Sequence, residues 1–222
     1  VNPILSAIHG YKHDPEKATA ITALLIDSGV NFWKKLKTGT THLHYAARHN
    51  AVGIAQLLLD SGMNVNQNDT NKHPPLEEAI QGGFVEMTEL LLSYGANVNH
   101  IVGGVWLAFE RNNSYLNTAI LKNSSNHLKC AELILKNGGN PNIKDSAGIS
   151  PLLLAVKNSN IEAVKLLLDF GAAPDMECNY HWYNKHINQV EHKQVSPIEL
   201  AQENNDSEIF ELLMQELVDQ NL

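Results

Sequence analysis

Gly39-Thr40-Thr41-His42-Leu43-His44-Tyr45-Ala46-Ala47, followed ten residues later by Leu57-Leu58-Leu59-Asp60-Ser61-Gly62-Met63-Asn64-Val65-Asn66, is the stretch from which the architecture can be read. A hydroxyl residue ahead of a short Leu- and Ala-containing run marks a helix start. A leucine run closed by glycine marks a second helix ending in a left-handed C-terminal cap. The pattern then repeats along the chain. Leu24-Leu25-Ile26, Leu90-Leu91-Leu92, Leu133-Ile134-Leu135 and Leu166-Leu167-Leu168 each precede a glycine three residues further on. The glycines at 29, 62, 95, 138 and 171 are separated by 33, 33, 43 and 33 residues. Fixed self-similarity of this length is the mark of a repeat array.

Each unit carries its own start signal. Asn2-Pro3-Ile4, Pro74-Pro75-Leu76, Ser114-Tyr115-Leu116, Ser150-Pro151-Leu152 and Ser196-Pro197-Ile198 occupy one frame with Thr41-His42-Leu43. Ser150 and Ser196 are expected to cap the following helix, with Pro at the first helical position, where a missing N–H costs nothing. Small alanines at 46, 79, 119, 155 and 201 allow two helices to approach closely. Ile161, Val164, Leu167 and Leu168 follow helical spacing along the second helix. One such pair cannot bury its apolar face alone, so neighbouring units must share a core.

On these residues the chain resembles the ankyrin-repeat family. The resemblance implies an all-α solenoid of about six helix-turn-helix units with loop insertions, spanning approximately 1–35, 36–68, 69–108, 109–144, 145–190 and 191–222. It also implies a protein-protein interaction scaffold that grips a partner protein with its concave face of loop tips and first helices. Carried over by position, that face comprises Lys37, Thr38, Thr40, Arg48 and His49 in the second unit. Thr70, Asn71, His73 and Gln81 supply the third, Arg111, Asn113 and Lys122 the fourth, and Ser146, Ala147, Ile149, Lys157 and Asn158 the fifth. Several are basic and suggest a positive stripe suited to an acidic or mixed-charge partner; a solvated face without a dedicated partner is the bland alternative. His44 falls at the family's histidine, which implies inter-repeat hydrogen bonding rather than catalysis. Asn66, Asn99 and Asn142 resemble both hairpin-base asparagines and substrates of an asparaginyl hydroxylase. Polar outer positions in the last unit suit a terminal cap.

Departures from the period locate insertions: six residues around Tyr11–Lys17, seven within His100–Asn113, three around Asn123–Asn126 and thirteen within Met176–Val195. Insertions in solenoids map to loops, often on the binding face. Trp106 and Phe109 lie in one and Tyr180, Trp182 and Tyr183 in another, while Trp33 replaces the asparagine of other units. Such aromatics either anchor a partner or fold back onto the solenoid. Cys178, His181, His186 and His192 supply four possible zinc ligands without the paired spacing of structural zinc modules, so an ordinary polar loop stands as the other reading. Cys130 aligns with Ile54 and is expected in the core.

Composition narrows the remainder. With 16 Lys and Arg against 24 Asp and Glu, net charge is -8. That balance argues against nucleic acid or an anionic membrane as the main partner. No apolar run is long enough to cross a bilayer. Two cysteines favour a reducing compartment, cytoplasmic or nuclear, or a host cell if the chain is a bacterial effector. No nucleophile motif or phosphate-cradling loop is present, so the chain reads as a non-enzyme without cofactor or metal, and as a monomer. The rival reading makes it the targeting or substrate-recruitment domain of a larger enzyme or effector. The missing initiator Met points to a trimmed chain or one part of something longer.

Overall fold

The computed structural model describes residues 2–36, 39–100, 114–184 and 189–220, apart from the side chains of 180–192. Among them, helices α1 (Pro3–Gly10) and α2 (Pro15–Asp27), α3 (His42–Arg48) and α4 (Val52–Asp60), α5 (Pro75–Gly82) and α6 (Val85–Ser93) form successive antiparallel pairs. So do α7 (Tyr115–Lys122) and α8 (Ser125–Lys136), α9 (Pro151–Lys157) and α10 (Ile161–Asp169), and α11 (Pro197–Glu203) and α12 (Ser207–Gln220). Strands β1 (Cys178–Asn184) and β2 (Gln189–Val195) make one antiparallel hairpin between α10 and α11. The odd-numbered helices pack in one row, α1 on α3 through to α11. Behind them α2, α4, α6 and α8 pack in succession, and α10 packs on α12. No described helix is long and apolar enough to cross a membrane.

The helix ends follow the chemistry of their caps. Ser150 Oγ accepts the Leu153 N–H at 3.1 Å. Ser196 accepts the N–H of Glu199, whose carboxylate returns to the Ser196 N–H at 2.8 Å, a reciprocal capping box. At the other end Gly62 sits at φ 90° while the Met63 N–H bonds the Leu58 carbonyl at 3.0 Å. That left-handed turn is nearly free for glycine and strained for other residues. The alanines at 46, 79, 119, 155 and 201 are fully buried at 0% exposure, where the paired helices touch. Burying each of Ile54, Leu58, Leu91 and Leu167 contributes roughly 1.5–3 kcal/mol. These side chains belong to one core cluster running the length of the array.

Two side-chain ladders tie the second to the fifth units together. In the first, His44 Nε2 donates to the His73 carbonyl at 2.9 Å, and Asn117 Nδ2 donates to the Ile149 carbonyl at 3.0 Å. In the second, Asn66 Nδ2 donates to the Gly95 carbonyl at 3.0 Å while its Oδ1 accepts the Asn97 N–H at 2.9 Å. Asn99 does the same to Gly138 and Asn140 (3.1 and 2.8 Å), and Asn142 to Gly171 and Ala173 (3.0 and 2.8 Å). These asparagines therefore bridge units rather than close their own hairpin. Trp33, in the same frame, stacks on Phe32 at 4.8 Å between centroids and stays 55% exposed.

The insertions differ from the loops expected. The additions near Tyr11–Lys17 and Asn123–Asn126 mostly lengthen helices: α2 has 13 residues and α8 has 12, against nine in α4, α6 and α10. The helix starts Pro15 and Ser125 lie within these additions, so an extra turn joins the N-terminal end and register is kept. The last insertion is an extended hairpin across the 190/191 junction rather than an irregular loop, docked by the Asn179 N–H on the Gly148 carbonyl at 3.1 Å. Nor is the final unit closed by a purely polar cap: Met214 and Val218 on α12 are 42% and 52% exposed.

The asparagine ladder predicts the effect of Asn99→Ala. The substitution removes partners from two main-chain groups that water can partly re-solvate, so stability should fall by about 1 kcal/mol in urea denaturation. An unchanged midpoint would show that the ladder contributes nothing.

Candidate protein-interaction surface

Among the described residues, the exposed edge of the first helices and the turns ahead of α5 and α9 make up the candidate surface. The turns are built alike. Asp69 Oδ1 accepts the N–H groups of Asn71 and His73 at 2.8 and 2.9 Å, and Asp145 Oδ1 accepts those of Ala147 and Ile149 at 2.9 Å each. Each aspartate closes a tight turn over its own backbone. Thr70 and Ser146 are thereby held outward at the tips, with Asn71 half-buried beside Thr70. The His73 and Ile149 carbonyls that end these turns also receive the His44 and Asn117 bonds, so the tips are fixed to the helix row.

Along that row the repeat frame aligns Arg48, Gln81, Leu121 and Lys157, all exposed. His49, Lys122 and Asn158 follow them, also exposed. Arg48 does not stand as an isolated cation. Its Nε donates to Glu78 Oε2 at 2.9 Å, a second nitrogen pairs with the other Glu78 oxygen, and its guanidinium lies 5.5 Å from the Tyr45 ring centre. The hydrogen bond it donates to Glu78 raises its affinity for protons further. The positive stripe expected from the sequence is thus compensated at Arg48. Thr40 and Ile149 are each 3% exposed, so their side chains serve the scaffold and cannot meet a partner.

Lys37, Thr38, Trp106, Phe109, Arg111 and Asn113 lie outside the described residues. The backbone of Tyr180, Trp182 and Tyr183 runs in β1, but their side chains lie outside the description too. Conversely, Tyr45, Glu78 and Leu121, the last 48% exposed, belong to this surface although the sequence reading passed over them. Superposing the repeat frames was the available signal, since Leu121 falls where Arg48 and Lys157 fall. At the first end His9 packs edge-on against His49 at 5.0 Å and Tyr45 at 6.5 Å. Burial, then the neighbouring His9 and Arg48, hold His49 below the usual imidazole range.

Residues considered for chemistry are otherwise engaged. His44 Nδ1 accepts the Thr41 N–H at 3.1 Å, which leaves Nε2 carrying the proton given to His73. His42 Nδ1 faces the Phe32 carbonyl at 2.8 Å and its Nε2 faces the Asn2 amide at 2.8 Å. Burial lowers the proton affinity of both imidazoles, consistent with neutral structural rings. Cys130 is fully buried beside Thr88, and burial raises its thiol, which disfavours a thiolate. Cys178 is 1% exposed, with Sγ 3.3 Å from both Ser150 Oγ and the Met176 carbonyl. The side chains of His181, His186 and His192 lie outside the description; among the described residues no group of three or more His, Cys, Asp or Glu could hold a metal ion. Both amide atoms of Asn66, Asn99 and Asn142 are bonded in the ladder, so any modification of them must first break those bonds.

A family model described as ankyrin repeats (3 copies) matches residues 13–101 and 116–222. No curated protein matches the chain. Ankyrin arrays are generally protein-protein interaction modules.

One buried carboxyl makes the scaffold pH-sensitive. Glu77 takes the place of His44 in the next unit, is 3% exposed, and has one oxygen bonded to Gln81 at 2.8 Å and the other without a partner. Burial is the main cause that pushes its pKa up from 4.5 to about 7. A raised folded-state pKa gives stability that is full below 4.5 and is lost as pH rises through about 7. Glu77→Gln should therefore be more stable than the parent at pH 8 by on the order of 1–3 kcal/mol, with the gap closing by about pH 4.5. Urea denaturation across that range reads the difference, and a gap that is constant with pH would contradict it. His42 and His44 act oppositely, losing stability as pH falls below 6.5, and cancel in the comparison.

Proposed function

We propose, on the premise that this chain belongs to the ankyrin-repeat family, that it is a non-catalytic scaffold whose concave face binds a protein. The observation that carries this reading is a contrast between two positions of the same helices. Ala46, Ala79, Ala119 and Ala155 are identical and 0% exposed, while Arg48, Gln81, Leu121 and Lys157, two residues further along each, are exposed and chemically different. A constant interior with a varied outer edge is what a recognition surface built on a fixed frame requires.

The chemistry of the edge favours a mixed partner. Tyr45 and Leu121 offer apolar contact, the Arg48–Glu78 pair offers both charges, and Lys122 and Lys157 favour carboxylates opposite them. Trp106 and Trp182 in the insertions add candidate anchors of the kind that dominate interfaces. Two free, buried thiols fit a reducing compartment, cytosolic or nuclear.

Affinity capture from cells tests the reading. Leu121→Asp combined with Lys157→Glu should cut recovery of the main partner about tenfold or more without changing the thermal melt, and Trp106→Ala with Trp182→Ala should do so if the insertions join the contact. Equal recovery by both double variants would overturn it.

A further inference from the structure

The joint between first and second helix differs in the first unit. In the other units two or three residues make it: 49–51, 83–84, 123–124, 158–160 and 204–206. In the first unit it takes four, 11–14, and the added turn of α2 follows them. Tyr11 ties this longer joint to the second unit, its hydroxyl accepting the Gly53 N–H of α4 at 3.0 Å. The close approach requires glycine at 53, because a Cβ there would lie 2.7 Å from Thr19 Oγ1 of α2.

Between the joint and the C-terminal end of α3 is an open pocket of about 370 Å³, to which both units supply walls. Ile8 and Pro15 are apolar walls, while His9, Lys12, His13 and His49 bring four basic side chains, all exposed. His9 takes the frame position of Arg48, Gln81, Leu121 and Lys157, so the pocket opens at the recognition edge.

The charge of this pocket is one-sided. No Asp or Glu lines it. Asp14 Oδ1 accepts the Lys17 N–H at 3.0 Å as the cap of α2, and Glu16 lies in the first turn of that helix. Glu78, on α5, is held by Arg48. Between Asp27 and Asp60 the sequence has Lys34, Lys35, Lys37 and Arg48 and no acidic residue. The His9 ring meets His49 at 5.0 Å and Tyr45 at 6.5 Å, so two imidazoles share the site without a counter-ion among the lining residues.

We infer that this pocket is an anion subsite of the interaction surface and takes an oxyanion, a carboxylate or phosphoryl group, carried on the partner protein. The inference rests on the scaffold reading only for the source of that group. A bound anion offsets the repulsion that His9 and Arg48 exert on a protonated His49. Binding therefore takes up protons, and affinity rises as pH falls through the imidazole range near 6.5. Lys12 supplies a charge that persists above that range.

Histidine-resolved NMR of the full chain tests this, with sodium sulfate as the probe and sodium chloride at equal ionic strength as the control. Sulfate keeps its charge across the range, so the titrating groups are those of the protein. Its affinity should rise about tenfold from about pH 8 to about pH 5.5, and it should bring His49 back up toward the usual imidazole range. Lys12→Gln and His49→Gln, both at exposed positions, should each weaken sulfate binding about threefold or more with an unchanged thermal melt. Shifts no larger than those in chloride, or the same affinity in both variants, would overturn the inference. Blocked Ala-Glu-Ala and Ala-phosphoserine-Ala peptides then separate the two sources: the tighter one identifies the group, and failure of both overturns the subsite. In affinity capture the same variants should lower recovery of the main partner, and full recovery would overturn the pocket's role at the interface. Sulfate binding is read on the free chain, so this site and the scaffold reading fail separately.

Discussion

Helices of seven to nine residues do not hold together in water by their own hydrogen bonds, because nucleation outweighs the few bonds that follow. Most helices of this chain are of that size, with seven residues each in α3, α9 and α11. What keeps them is the burial of every pair against the next, through alanines that bring helices close and leucines that fill the seam. The ladders of His44, Asn117, Asn66, Asn99 and Asn142 add direction to this otherwise unspecific attraction. Each reaches a main-chain carbonyl of the next unit, so neighbouring units are set at a defined offset. The concave surface inherits its geometry from that offset.

The polar substitutions within the ladder frame show how much the frame tolerates. His44 and Asn117 both carry an N–H donor and both reach the equivalent carbonyl. Leu153 in the fifth unit gives up the bond and gains burial, at 1% exposure. Glu77 gives up the donor and leaves one carboxylate oxygen buried without a hydrogen-bond partner, and its desolvated carboxyl lies close enough to oppose ionisation of the buried Tyr115. A stable array can carry one such group because the core is shared across many units.

The period, the helix starts and the positions of the insertions were legible in the sequence because they are local patterns of side-chain size and backbone preference. The form of the insertions was not. Residues added ahead of a helix extend it where they carry a cap for the new first turn, as Asp14 does for α2 and Ser124 for α8. The polar run around Glu191-His192-Lys193 pairs as a strand because its partner at 178–184 holds it there. Interactions between units were legible only through the repeat frame. Glu78 is 30 residues from Arg48, yet it neutralises that cation of the expected basic stripe. The spacing of Phe210, Met214 and Val218 is helical, but the acidic residues among them made α12 read as polar.

Side chains of one unit, reaching into the backbone of the next, fix the spacing of a shared core. Hydrogen exchange at the amides of Asn97, Asn140 and Ala173 tests it most directly. These N–H groups lie outside the helices and donate to asparagines of the preceding unit. They should exchange orders of magnitude more slowly than unstructured amides, and together, because opening one requires neighbouring units to separate. Exchange at the rate of a free loop, or at three unrelated rates, would contradict a stack held in register by its ladders.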